Sequence, residues 1–490
     1  MSFSFVRNVA VATLLTTVCS LAVTQTPDYA AFGARLPKAS ADPAITAALR
    51  SVSADRIRTN IEHLVAFGNR STISSTETDL SPGTGILAAS NWIKAQLEED
   101  SRACGGCLEV HVDAFTEQPA SANGGFGQRI IKPTPIHNVY AILRGTDPTA
   151  TKRMYLVTGH YDTRETDVMN THDPAPGAND DTSGTAVSLE AARVLSQHRF
   201  PATLVFVCVA GEEQGLNGSR HLAKLAKAEG WQLQGVLNND IVGGDTTPGD
   251  TLQNKSLVRV FSQGISATEP PDILRQQLLL GLDNDTPSRE LAREVLDVGR
   301  TYDPITAPSK LTHSITLHPV MELRLDRFLR GGDHSSFSAE GFPAIRFTEW
   351  RENFNHQHQH VRVENGIQYG DLLKFDDFQY IASVARLNIA TLATLAASPG
   401  MPTDVRVVAT NLDNNTTLKW DAPDLTTATI RYEIVWRPTD TNDWQYADFV
   451  SDGAHEITLP ISKDNVFFGV RACDTTGHCS QAVPPLPEKR

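Results

Sequence analysis

Five short groups of side chains between positions 159 and 360 can hold metal ions and carry protons. They are Gly159-His160-Tyr161-Asp162, Gly177-Ala178-Asn179-Asp180-Asp181-Thr182-Ser183-Gly184, Gly211-Glu212-Glu213-Gln214-Gly215, Asn238-Asn239-Asp240 and His356-Gln357-His358-Gln359-His360. Most follow an apolar, β-branched run. An α/β sheet presents its functional residues there, at the carboxyl ends of its strands. Zinc takes imidazole and carboxylate ligands, and a catalytic zinc keeps one position open for water. Histidines and carboxylates gathered at one sheet edge make a divalent metal site, with ligands enough for two ions. One such residue alone would mean little; five groups in this order are hard to dismiss.

Most of these groups also have a plainer explanation. His160 fits a metal ligand, and Asp162, on the same side of an extended chain, fits an acceptor for the other ring nitrogen. Asp180 stands in a Gly/Asn/Asp turn ahead of a helix, where a carboxylate can span two cations. Asp181 or Thr182 would cap that helix. Glu212 and Glu213 adjoin at a strand end and repel each other unless cations neutralise them. One can bind metal while its neighbour handles protons. A solvated surface pair is the alternative, but Val205 to Ala210 reads as a central strand. Asp240 would complete the first metal site, against the alternative of a turn aspartate. Phe354 to His360 offers three histidines at alternating positions, although a His-rich tract alone is often a surface feature.

The elements that must position these groups alternate between strand and helix. Ile45 to Phe67 has helical periodicity, Asn69 to Gly85 is a polar loop, and Ile86 to Glu99 reads as an amphipathic helix. Strands are expected at Leu108–Phe115, His137–Leu143, Met154–Thr158, Thr203–Ala210, Gln234–Leu237 and Phe342–Thr348. Helices are expected at Thr182–Leu195, Ser219–Ala228, Pro287–Val298 and Tyr369–Ala397, with 118–135 a loop. This alternation implies an α/β fold with a mostly parallel, doubly wound sheet and helices on both faces. Residues 245–330 form a long insertion that would cover the pocket and set specificity. Composition changes near residue 397, and short alternating strands follow at Val405–Ala409, Thr416–Trp420, Ile430–Arg437, His455–Leu459 and Asn465–Ala472. These suggest a C-terminal β-sandwich.

The 490 residues exceed what one core needs. The net charge of −14 argues against nucleic acid and anionic membrane as partners. Arg7 followed by the apolar stretch Val9–Val23 reads as a secretory signal, residues 1–23, with export to the periplasm or the medium expected. Residues 24–44 read as a linker or pro-segment. No later segment reads as long and apolar enough to span a bilayer. Cys473–Cys479 and Cys104–Cys107 are expected as disulfides, and Cys208 as a buried free thiol.

The ordered motif set resembles the dinuclear zinc aminopeptidases that include secreted bacterial leucine-type aminopeptidases and the vacuolar aminopeptidase Y. The resemblance covers residues 45–397 and implies two zinc ions per chain. By motif, His160 and Asp240 would hold one ion, Glu213 and a histidine of the 356–360 tract the other, and Asp180 would bridge them. Glu212 would be the general base, with Asp162 supporting His160. The family's last motif often runs Asn, any residue, an aromatic, then the ligand histidine. Asn355-His356-Gln357-His358 matches that spacing and favours His358, with His356 the alternative. Gln357 replaces the aromatic, and Arg362 stands where an acidic residue is often found. Gly332-Asp333-His334-Ser335 resembles the family's Ser-Asp-His segment, which puts Asp333 and His334 near substrate, with Arg330 a further candidate for holding it.

The implied chemistry is hydrolysis of the N-terminal bond of peptides with a free amine. Two ions about 3.5–4 Å apart would activate a shared water, and Glu212 would take its proton and pass it to the leaving amine. Glutaminyl cyclases share the fold but use one zinc and form pyroglutamate. A noncatalytic binding ectodomain is a further alternative, disfavoured because the ligand set is complete. Trp420, Tyr432–Arg437 and Phe467–Ala472 resemble a fibronectin type III module over residues 401–485. It would contact a surface or polymeric substrate, or serve as a spacer.

Overall fold

The computed structural model describes residues 26–119, 129–266, 268–303, 317–410, 413–424 and 429–488. The expected signal, residues 1–23, lies outside the described residues. Eight strands form one mixed sheet: β1 (Leu108–Glu117), β2 (Thr134–Leu143), β3 (Arg153–His160), β4 (Thr203–Val209), β5 (Gln232–Asn239), β6 (Leu257–Ser262), β7 (His318–Glu322) and β8 (Ala344–Glu349). Their order across the sheet is β1-β2-β4-β3-β5-β8-β6-β7. The central strands β4, β3, β5 and β8 are parallel neighbours. The flanks reverse: β2 is antiparallel to both β1 and β4, and β6 is antiparallel to β8.

Every residue of β3 and β4 is buried, as a strand with helices over both faces requires. One face carries α1 (Pro43–Arg50), α2 (Ala54–Ala66), α3 (Gly85–Ala103), α4 (Gly184–Leu195) and α6 (Pro287–Tyr302). The other is covered by α5 (Asn217–Ala228) and α7 (His334–Ala339). Along β3 the pleat decides the face. Tyr155 and Val157 join the first core, and Met154 and Leu156 the second.

The structure changes four expectations. The single helix read over Ile45–Phe67 is two, because Ser53 turns the chain and its Oγ accepts the Arg56 N–H to start α2. The last helix, α8 (Phe378–Ala397), begins nine residues later than expected, where the Asp377 carboxylate accepts from the N–H groups of Gln379 and Tyr380. The 245–330 segment is more than a cover, since it supplies β6, α6 and β7 to the main fold. The expectation that no later segment could span a membrane is corrected as well. By length and composition α8 could, with mean hydropathy 1.3, yet 78% of that stretch is buried inside the protein, as in a core helix.

Two glycines set the distance between sheet and helix. A Cβ on Gly159 would lie 2.3 Å from the backbone carbon of Gly184, and one on Gly184 would lie 2.2 Å from the Asn239 carbonyl oxygen. The start of α4 therefore rests directly on the ends of β3 and β5.

After residue 400, among the described residues, seven strands form two sheets, of four and three, that stack on a shared core including Leu418, Trp420, Tyr432, Trp436 and Phe468. The sequence reading missed the strand at Tyr446–Phe449. It also missed a strand from the far end of the chain, Ala34–Arg35, which pairs antiparallel with Tyr446–Ala447. The segment read as a linker or pro-segment thus docks on the sandwich. Trp436 Nε1 donates to the Tyr29 carbonyl at 2.8 Å, and Gly33, at φ 69°, leaves no room for a Cβ beside the Trp436 ring. The sandwich is tied to the α/β half by a buried Arg437–Asp285 pair at 2.7 Å and by Trp444 Nε1 donating to Glu290 at 3.1 Å. Disulfides join Cys104 to Cys107 and Cys473 to Cys479, and Cys208 is free and buried.

Candidate metal centre

His160 is the last residue of β3. Its Nδ1 bonds the Asp162 backbone carbonyl at 3.1 Å, closer than the Asp162 carboxylate at 3.5 Å. The support is thus mainly main-chain. The Asp162 carboxylate is instead occupied by donors from Glu213 N (3.1 Å), Glu212 N (3.3 Å) and Thr72 Oγ1 (2.9 Å). It fixes the turn after β4 that aims both glutamates.

The turn before α4 carries two aspartates with different work. Asp181 accepts from Gly184 N at 2.9 Å, His160 N at 3.0 Å and Ile241 N at 3.2 Å, pinning the helix start to β3 and to the chain after β5. Asp180 points the other way. Its Oδ1 lies 3.2 Å from His160 Nε2 and its Oδ2 2.9 Å from His358 Nε2. The Asp371 carboxylate holds this turn by accepting from Asn179 N and Asp180 N. Arg70, fully buried, donates to the Tyr161 and Gly177 carbonyls and to Thr182 Oγ1.

Two sets of donor atoms result. His160, Glu212 and Asp240 offer one set, and Asp180, Glu213 and His358 the other; within each, the atoms lie within 4.8 Å of one another. Tetrahedral zinc with bonds near 2.1 Å separates its ligand atoms by about 3.4 Å, and the pairs His160–Asp240 at 3.9 Å, His358–Asp180 at 2.9 Å and His358–Glu213 at 3.0 Å lie near that spacing. In the second set, the buried Glu213 Oε1 and His358 Nε2 face each other at 3.0 Å without forming a well-aligned hydrogen bond. Atoms like these are satisfied by a cation.

Electrostatics point the same way. Burial pushes Glu212 well above the usual carboxylate range, and Asp240, Glu213 and Asp333 add like-charge repulsion. Burial likewise raises Asp333 to about 7. Burial alone would lower both histidines, but Asp162 and Asp180 hold His160 well above its ordinary value, and Glu213 and Asp180 bring His358 up to about 10. Acidic groups at this density retain protons unless a multivalent cation replaces them.

The other predicted residues lie around this centre. His356 is in neither set; its ring stacks on Phe375 at 3.7 Å and its Nδ1 stands 3.6 Å from Asp245. His360 lies 3.4 Å from Glu165. Asp333 is fully buried with both carboxylate oxygens unpartnered, and His334 Nε2 bonds the Leu325 carbonyl at 2.7 Å. Arg330 donates to Glu352 at 2.9 Å and to Gln357 at 3.3 Å. Three neighbours went unnoticed in the sequence: Asp371, Gln357 as a donor, and Arg346, which pairs with Asp240 at 2.9 Å. Gln357 stood out only as a departure from the aromatic of the resembled family's last motif, and nothing local marks Asp371 or Arg346.

Residues 138–268 match Peptidase family M28. A protein of Pyrenophora teres f. teres named "Probable zinc metalloprotease" is 43% identical over 460 residues, covering 93% of this chain and 89% of its own. A "Probable zinc metalloprotease" of Leptosphaeria maculans is 42% identical over 457 residues, covering 93% of this chain and 100% of its own. The solved LapA aminopeptidase of Legionella pneumophila overlaps 74% of this chain and 78% of its own, with a TM-score of 0.47 and 20% identity. Identity sustained over nearly the full length of such relatives means that the chain belongs to peptidase family M28, as a zinc metalloprotease.

Proposed function

We propose that the protein is an exported aminopeptidase that binds two zinc ions and removes the N-terminal residue of peptides. The observation that carries this reading is Asp180, whose two oxygens face His160 on one side and His358 on the other. His160 and Asp240 would hold one ion, Glu213 and His358 the second, and Asp180 both. Bound zinc supplies Lewis-acid chemistry, polarising the scissile carbonyl and acidifying water.

The chain's own residues do the rest. Glu212, kept basic by burial and by its acidic neighbours, takes the proton of the attacking water and returns it to the leaving amine. Asp162 holds the Glu212-Glu213 turn, and Asp181 holds the turn carrying Asp180. Asp333 and His334 line the substrate side, with Arg330 near them. The surplus of carboxylates draws in a substrate's N-terminal ammonium, which favours cleavage one residue at a time. The C-terminal sandwich, read as a fibronectin type III-like module, contacts a surface or polymer.

Metal analysis combined with hydrolysis of a leucyl amide and its N-acetylated form tests this reading. Two zinc ions per chain and cleavage of the free-amine substrate alone are expected. One zinc with cyclisation of an N-terminal glutamine would make the protein a glutaminyl cyclase. No metal and no turnover would leave a binding ectodomain.

A further inference from the structure

The loop that brings in His358 also brings a donor to the shared carboxylate. Gln357 is buried, and its Nε2 donates to Asp180 Oδ2 at 3.0 Å. That oxygen is the one 2.9 Å from His358; Oδ1 is the one facing His160. On its other side, Gln357 Oε1 accepts from Arg330 Nη1 at 3.3 Å, and the same Nη1 donates to Glu352 Oε2 at 2.9 Å. Glu352 is in turn held by Arg259 at 2.9 Å and Arg327 at 2.8 Å.

The chemistry of this chain allows one direction. A guanidinium can only donate and an ionised carboxylate can only accept, so the amide must turn its carbonyl to Arg330 and its NH2 to Asp180. Turning the Asp180 carboxylate about its Cβ–Cγ bond would swing both oxygens out of line with the two donor sets. A donor fixed on Oδ2 opposes that rotation. His358, at φ 56°, lies next to Gln357 in the chain, so one loop conformation delivers both the imidazole and the amide to the same oxygen.

We propose that Gln357 is a positioning residue, aimed by Glu352 and Arg330, that keeps one oxygen of Asp180 on each donor set. The proposal rests on the reading of Asp180 as a ligand shared by two zinc ions. Its function is carried through Asp180 and not through contact with substrate, so its loss should appear in metal retention and in kcat, with KM little changed.

The test uses the full-length protein with Gln357→Leu, Arg330→Met and the double variant. A zinc-chelator competition titration follows both equivalents, beside kcat and KM on a leucyl amide and a melting curve. Gln357→Leu is expected to weaken one of the two zinc equivalents about 10- to 100-fold, the range seen when a group holding a ligand is lost. Arg330→Met is expected to give a smaller loss that adds nothing in the Gln357→Leu background. Should Gln357→Leu fail to fold, Gln357→Glu keeps the shape and the Arg330 contact but faces Asp180 with a carboxylate, and a larger loss of the same equivalent is expected. Wild-type zinc affinity in either Gln357 variant, or full additivity with Arg330→Met, overturns the proposal. A wild-type protein that binds fewer than two zinc ions instead overturns the shared-ligand reading beneath it.

Discussion

Asp180 and Glu212 divide the labour of the centre, one holding charge in place and the other moving a proton. Glu212→Gln keeps the shape but cannot take a proton. We expect zinc content to stay at the wild-type level while kcat falls by about 10²- to 10⁴-fold; loss of zinc in this variant would end the assignment of Glu212 as base. The two nearby histidines separate in the same way. His358→Ala should lose one zinc equivalent on dialysis. His356→Ala should retain both and lower only the melting temperature, because its ring packs on Phe375 outside either donor set. The donors themselves could be read from the sequence, because zinc's preference for imidazole and carboxylate is a property of residue type. Their supports could not. Arg346 reads as a strand residue, Asp371 as a residue of the last helix, and their partners Asp240 and Asp180 are distant in the chain. Even for His160, spacing suggested the Asp162 side chain, whereas the main-chain carbonyl of that residue stands closer.

The strands that end at the centre were the easiest to read, because β3 and β4 are mostly apolar and buried on both faces. The flanking strands were harder. β6 and β7 lie in a stretch whose sequence resembled a surface insertion, and β6 runs against its neighbour β8, so the parallel alternation that identified the centre gave no guidance there. Helix ends set by caps, at Ser53 and Asp377, also moved relative to their periodicity. The contact between α4 and the sheet gives a sharp prediction. Gly159→Ala would place a methyl 2.3 Å from the Gly184 backbone, closer than repacking can absorb. Stability should fall by about 3 kcal/mol or more and zinc content should drop with it, as read by denaturant unfolding and metal analysis. A variant that unfolds like wild type would mean that α4 is free to lift from β3.

Across the whole chain, the sandwich and the catalytic half share buried charge. Asp285 and Arg437 are both almost fully enclosed where the two meet. Asp285→Ala would leave the guanidinium buried without its partner, and a loss of about 3–5 kcal/mol is expected. Calorimetry on the full-length protein should show the melting transition shifted down, with turnover at low temperature preserved. An unchanged transition would mean that water reaches Arg437. The sequence foretold the sandwich, since alternating strands and turns are local signals, but not the strand added to it by residues 34 and 35. Two residues carry no periodicity, and their partner is encountered only once the chain has folded back.

That added strand has a consequence in time. Arg35 and the Gln445 side chain it bonds are 410 residues apart. At a synthesis rate of roughly 5–20 residues per second, the N-terminal segment emerges about 20–80 s before its partner exists. The metalloprotease half can therefore complete its fold while residues 28–36 still have nowhere to settle. The Trp436 ring, buried in the finished protein, receives them only after the C-terminal sandwich has been made, so a segment synthesised early is among the last to be secured.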